Sequence, residues 1–452
     1  MRVKTLTLAA VLSLPLPALA QIDPAALRDA ALKDEIAWDI TEGLTTEIGP
    51  RLAGTEAEAR ARAWSVKKLA ALGFSNVRNE PFRMKTWVRG EETLEVLAPF
   101  PQPLRLTALG NSGATPATGL RGEIVYFKDI AALHAAPDRS LRGKIAFVSH
   151  DMTRTQDGSQ YGAFGAVRRS GPAVAARKGA AAILIRSVGT DYHRNPHAGG
   201  TGFPEGVTPI PAAALSIPDA EQLQRILKRG QPVSVKLTLT PRQVGMTESG
   251  NIIAEVPGSD PAAGLVVVAC HLDSWDLGTG AFDDGAGCGI VTAAAKRVMD
   301  AGKPRRTIRI LWAGAEEVGV FGGKAYFEAH KGEKHALAAE SDFGADRIWR
   351  VDFKLPESAR AVGDRVAAVL SPLGISRGRD PASGGADVAA LVASGVAGID
   401  LQQDGSRYFD LHHTPDDTLD KIDPSQLRQN VAAWTAMLAV VANAPEEIGA
   451  TQ

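Results

Sequence analysis

The chain runs to 452 residues, too long for one ordinary core because domains usually take about 100 to 200 residues each, so two or three folded units are expected. Lysine and arginine total 50 against 51 acids, a net charge of -1 with no basic block; this argues against nucleic acid or an anionic membrane as partner and favours small, roughly neutral substrates. Only two cysteines occur, Cys270 and Cys288, and at their positions in the densest motif small buried thiols are expected rather than a bridge.

Residues 1–20 begin Met-Arg-Val-Lys, continue through an apolar run and end in Ala18-Leu19-Ala20. A charged start, a short apolar stretch and a small-x-small end describe a signal peptide, so a secreted or periplasmic protein is expected. The run is broken by Pro15 and Pro17 and is shorter than the roughly 20 apolar residues of a span, so no membrane association is expected after cleavage. From about residue 25 to 75 the pattern is helical, with Gly73 placed to end a helix over 56–72. Strands are expected at 92–97 and 104–109, followed by a turn-rich boundary at 111–119.

Short strands at 123–126, 144–148, 181–185 and 212–215, with a helical stretch at 172–178, predict a smaller β-rich unit over 113–240. It is inserted between two parts of a larger unit, 21–112 and 241–452. In the second part, apolar strands at 251–256, 264–270 and 307–312 alternate with helical patterns at 287–301, 323–329, 364–370, 386–393 and 424–441. Such alternation predicts an α/β fold, a mostly parallel mixed sheet flanked by helices.

The buried run from Leu265 ends abruptly in His271-Leu-Asp273, and in open α/β sheets ligands collect beyond the carboxyl ends of the strands. An aspartate two residues on can orient the imidazole. Asp283-Asp284 follow in a glycine-rich loop that opens a helix; such a pair reads equally as an N-cap or as metal ligands. The next strand ends in Glu316-Glu317, a pair that alone reads as solvated charge but at a second strand end can divide metal binding from general-base work. Asp342 and His412-His413 complete a set of imidazoles and carboxylates whose mixed N/O character suits zinc.

The series His271-x-Asp273, Phe282-Asp283-Asp284-Gly-Ala-Gly287, Ala315-Glu316-Glu317-x-Gly319, Glu340-Ser-Asp342 and His413-Thr414-Pro-x-Asp417 resembles the M28 family of co-catalytic zinc exopeptidases. Cys270-His-Leu-Asp-Ser-Trp-Asp276, Gly384-Gly-Ala-Asp387, Arg407-Tyr-Phe-x-x-His-His413 and Gly49-Pro-Arg-Leu-Ala-Gly54 look most like its carboxypeptidase Q branch. The middle unit, with Leu141-Arg-Gly-Lys-Ile-Ala-Phe147 and Gly179-Ala-Ala-Ala-Ile-Leu-Ile185, is similar to an inserted protease-associated domain.

The resemblance implies two zinc ions bridged by Asp283, with His271 and Asp342 completing one site and Glu317 and His413 the other. It implies Glu316 as general base for a metal-activated water, Asp273 holding His271 by its second ring nitrogen, a cis Asp283-Asp284 bond and a homodimer. Where many members carry a tyrosine before the last histidine ligand, this chain has His412, so stabilisation of the intermediate falls to His412 or Tyr408. Small peptides or dipeptides are the implied substrates, with trimming from the amino end, the carboxyl end or dipeptidase action left open. Arg350, Arg377, Arg379 and Arg407 are candidates to receive a terminal carboxylate. An aminoacylase or cyclase on the same scaffold, or a catalytically silent binding module, are the competing readings.

Overall fold

The computed structural model describes residues 22–449; the leader read at 1–20 lies outside them. Two eight-stranded sheets organise the chain. In the first, the strand order is Ser75–Val88, Arg242–Val256, Thr307–Ala313, Leu265–His271, His335–Glu340, Ala397–Gln403, Ile348–Lys354, Ser376–Arg377. Its four central strands, Thr307–Ala313 to Ala397–Gln403, pair in parallel, and antiparallel pairs flank them.

Parallel strands covered on both faces read as continuous apolar runs, and Leu265–His271 shows why. Val266 and Val268 turn into one buried cluster, while Val267 and Ala269 turn into another on the opposite face. On the first face the helices Ala286–Ala301, Pro424–Asn443 and Ile36–Gly43 pack together. On the other, Tyr326 of Phe321–His330 and Leu391 of Ala389–Ala393 close the core.

The second sheet runs Gln102–Leu104, Glu92–Ala98, Ser234–Leu239, Leu120–Phe127, Ile145–Val148, Ala182–Arg186, Ala212–Leu215, Leu106–Ala108. It therefore takes in strands from before residue 113, because Glu92–Ala98 pairs antiparallel with Ser234–Leu239, Leu94 opposite Leu237. The ribbon of Ser75–Val88 and Arg242–Val256 carries the chain out of the first sheet and back again. Among the described residues no helix is long and apolar enough to cross a membrane.

Cys270 and Cys288 are joined by a disulfide, contrary to the expectation of buried thiols. Cys270 ends a strand, Cys288 lies in the first turn of the helix packed on it, and their Cα atoms are 5.1 Å apart, within the span of a bridge.

Candidate metal centre

Parallel strands deliver their following loops to one edge, so Leu265–His271, Thr307–Ala313 and His335–Glu340 bring His271, Glu316, Glu317 and Asp342 together. His271 is the last residue of its strand; the loop after it returns Asp283 to the imidazole just before helix Ala286–Ala301 begins. Fully buried Arg51 shapes that loop, its guanidinium donating to the carbonyls of Leu272 at 2.5 Å, Thr279 at 2.6 Å and Gly280 at 2.8 Å. From the other side Asp417 accepts from the Phe282 amide at 2.6 Å. Asp284 accepts from the amides of His271 and Gly287, each at 3.1 Å, and the Asp283-Asp284 bond is cis.

Asp283 presents a different oxygen to each side. Its Oδ1 lies 2.9 Å from His271 Nε2, which is also 3.3 Å from Asp342 Oδ1. Its Oδ2 lies 3.3 Å from His413 Nε2, which is also 2.9 Å from Glu317 Oε2. His271 with Asp342, and Glu317 with His413, thus stand as two clusters on either side of one carboxylate. Asp283 Oδ2 and Glu317 Oε1 are buried without a hydrogen-bond partner. Burial and neighbouring acids push Glu316, Glu317 and Asp342 above the usual carboxylate range, a crowding that a divalent cation relieves.

Asp273 departs from its expected contact. His271 Nδ1 meets the main-chain carbonyl of Asp273 at 2.9 Å, while the Asp273 carboxylate is 3.9 Å away and accepts instead from the Glu316 amide at 3.0 Å. The chain leaves the extended conformation after His271, which turns the carbonyl rather than the side chain toward the ring.

Tyr408 and His412 both line the cavity over the cluster, about 670 Å³ in volume. His412 stacks on His413 with centroids 3.4 Å apart, and its Nε2 is 3.6 Å from Asp283 Oδ2. Burial, then the adjacent His413, hold His412 well below the usual histidine range.

Of the arginines offered for a carboxylate, Arg350 pairs with Asp352, Arg377 with Asp364 and Arg407 with Asp346, and Arg379 is exposed. None of the four lines the cavity over the cluster. Arg168 and Tyr161 do, and sequence reading missed both. They belong to a segment between strands of the second sheet, with no motif to mark them. That sheet's loops also grip the histidine loop. Thr190 donates its amide to Phe409 at 3.0 Å and Ala198 to His413 at 2.9 Å, and His197 Nδ1 meets the His412 carbonyl at 2.8 Å.

Comparison with known proteins agrees with this architecture. A family model described as Peptidase family M28 matches residues 251–438. Carboxypeptidase Q from Bos taurus is 34% identical over 407 residues, covering 89% of this chain and 84% of the bovine one. The human carboxypeptidase Q is likewise 34% identical, over 406 residues, with 89% and 84% covered. The crystal structure of a peptidase M28 precursor from Shewanella amazonensis SB2B is 48% identical with a TM-score of 0.92, covering 94% of this chain and 97% of that one. A zinc aminopeptidase from Bacillus subtilis shares the fold at 20% identity, with a TM-score of 0.65 over 90% of this chain and 95% of its own. Likeness at this level spans both sheets and the edge where the histidines and acids meet, and by it the chain belongs to peptidase family M28, a family of metallopeptidases.

Proposed function

We propose that this chain is an exopeptidase for small peptides that holds two zinc ions, with His271 and Asp342 on one, Glu317 and His413 on the other and Asp283 between them. The observation that carries the reading is the division of Asp283, one oxygen toward each histidine, with its Oδ2 and Glu317 Oε1 buried and unpartnered. An unpartnered buried carboxylate oxygen is costly, and imidazole with carboxylate is a donor set that zinc accepts. Zinc at this site supplies polarisation of the scissile carbonyl and a lowered pKa for the attacking water.

The chain's own groups do the rest. Glu316 takes the proton from the attacking water and returns it to the leaving amine as the peptide bond breaks. Burial raises its affinity for that proton. Asp273 fixes the Glu316 main chain, and Arg51 holds the loop that carries Asp283. The leader pattern at residues 1–20 supports export as part of this reading.

Glu316→Gln tests the assignment. With zinc content unchanged, turnover of dipeptides is expected to fall by about 10² to 10⁴. A metal-loaded variant that keeps the wild-type rate removes Glu316 from the mechanism.

A further inference from the structure

Beside the cavity over the carboxylate cluster lies a smaller one of about 190 Å³, and the two share Asp342, Phe343 and Ala386 in their walls. Asp157, Glu340 and Asp400 also line the smaller cavity, and among the described residues no lysine, arginine or histidine does. Nor does any lysine or arginine of the described residues form an ion pair with one of these three acids. Glu340 ends the strand that delivers Asp342 and is 8% exposed. Its Oε2 accepts from the Asp387 amide at 2.8 Å, while its Oε1 is buried with no partner. The loop over 383–387 is built around it. A Cβ on Gly385, whose φ is +104°, would sit 2.3 Å from that Oε2 and 2.4 Å from the Glu340 Cβ, so only glycine lets the loop close on the side chain. Asp400 holds the same loop from elsewhere, accepting from the amides of Ser383 at 2.7 Å and Gly384 at 2.8 Å. The run from Gly384 to Asp387 thus forms a wall against a carboxylate that has one oxygen to spare.

A buried acceptor without a donor is costly, and a pocket walled by acids with no cation of its own attracts one. We propose that the smaller cavity receives the ammonium of a lysine-length substrate side chain, making this enzyme selective for peptides with a basic residue beside the scissile bond. Size favours a side chain over a separate ligand, because pockets for whole ligands take roughly 300 to 1,000 Å³. Reach favours it over the free α-amino group. An α-nitrogen is two bonds from the carbonyl carbon of its own residue, about 2.5 Å away, whereas a lysine ammonium is six bonds away, about 7 Å when extended. Glu340 stands two residues before Asp342, a span of at most about 7 Å, so the longer arm matches a pocket that begins at Asp342 and includes Glu340. Phe343, Ala386 and Leu401 line the same cavity and cover the methylenes of such a chain, as apolar surface does for lysine stems elsewhere.

This rests on the peptidase reading, and the experiment separates the two. Hydrolysis of Lys-Ala, Ala-Lys and their norleucine counterparts, which keep the stem and lack the ammonium, is measured with zinc-loaded wild type, Glu340→Gln and Asp157→Asn, alongside zinc content. Wild type is expected to favour lysine over norleucine by about 10-fold or more in kcat/KM at one of the two positions, the discrimination of one hydrogen bond to a charged group. The position that shows it identifies which side of the scissile bond the pocket serves. In Glu340→Gln that ratio falls toward one with zinc content unchanged, and in Asp157→Asn, an exposed acid of the second sheet's unit, it falls by about 2-fold. Equal rates for lysine and norleucine at both positions of the wild type overturn the proposal without using any variant. So does a Glu340→Gln protein that loses zinc, or that loses all activities in proportion, since either makes the residue a support of the metal centre. Where Glu340→Gln yields no folded protein, an undiminished ratio in Asp157→Asn overturns it. Absence of cleavage of every peptide by the wild type removes the peptidase reading and this inference with it.

Discussion

Glu58 shows how the site's surroundings store charge in unusual states. It is fully buried, accepting from Ser249 Oγ at 2.9 Å and paired with Arg62 at 3.2 Å, yet burial outweighs that pairing and pushes its carboxyl up to about 7. An unfolded glutamate ionises near 4.5, so between that pH and about 7 the folded chain binds more protons than the unfolded one, and stability falls as pH rises through this window. Denaturant midpoints for wild type and Glu58→Gln at pH 5 and pH 8 check this. The wild type is expected to lose up to ~3 kcal/mol relative to the variant between the two, at 1.36 kcal/mol per unit; a constant difference contradicts it. At this scale the metal-site candidates were legible because acids and imidazoles stood at strand ends, where polarity is otherwise hard to explain. Arg168 was not. It meets His413 across 245 positions of sequence, and nothing local distinguishes it from a surface arginine.

The loop from Leu272 to Gly285 is irregular backbone held by side chains from elsewhere, and Arg51 bears most of that task. Its replacement by alanine strands the carbonyls of Leu272, Thr279 and Gly280. Each orphaned buried acceptor costs about 1 to 3 kcal/mol, so Arg51→Ala is expected to lower unfolding free energy by about 3 kcal/mol or more and to weaken zinc retention against a chelator. A stable variant with wild-type retention argues against the anchor. The bridge between Cys270 and Cys288 ties the strand bearing His271 to the helix after Asp284; iodoacetamide is expected to add no mass until the protein is unfolded and reduced. Elements were legible where periodicity was clean, as in Pro424–Asn443. The strand Ser75–Val88 carries Pro81 and charged residues on an exposed ribbon, and His335–Glu340 is mostly alanine and leucine, residues with little strand preference; neither announces a strand. The bridge was missed because adjacency in space, not spacing in sequence, decides it.

At the scale of the molecule, the two sheets meet at the histidine loop. The first sheet supplies His271, Glu317 and Asp342, and loops of the second hold the segment bearing His412 and His413 through Thr190, His197 and Ala198. Arg154 adds an ion pair to Asp410 at 2.7 Å, and Asn195 a hydrogen bond to Asp416 at 2.9 Å. Stripping zinc is therefore expected to raise amide hydrogen exchange at 197–198 and 409–413 together, since one loop serves both units; exchange confined to one side separates them. The α/β character and the parallel centre could be read from alternating apolar strands and helices. The extent of the second sheet could not, because the pairing of Glu92–Ala98 with Ser234–Leu239 joins segments far apart in the chain.

Zinc titration of chelator-stripped protein, with dipeptide hydrolysis followed in the same samples, tests the central claim most directly. Uptake of two equivalents by the wild type, hydrolysis that vanishes on stripping and returns on loading, and failure of Asp283→Ala to hold both ions are the results expected of a carboxylate shared between two metals. Full hydrolysis by the stripped enzyme, or two equivalents bound by Asp283→Ala, contradicts it.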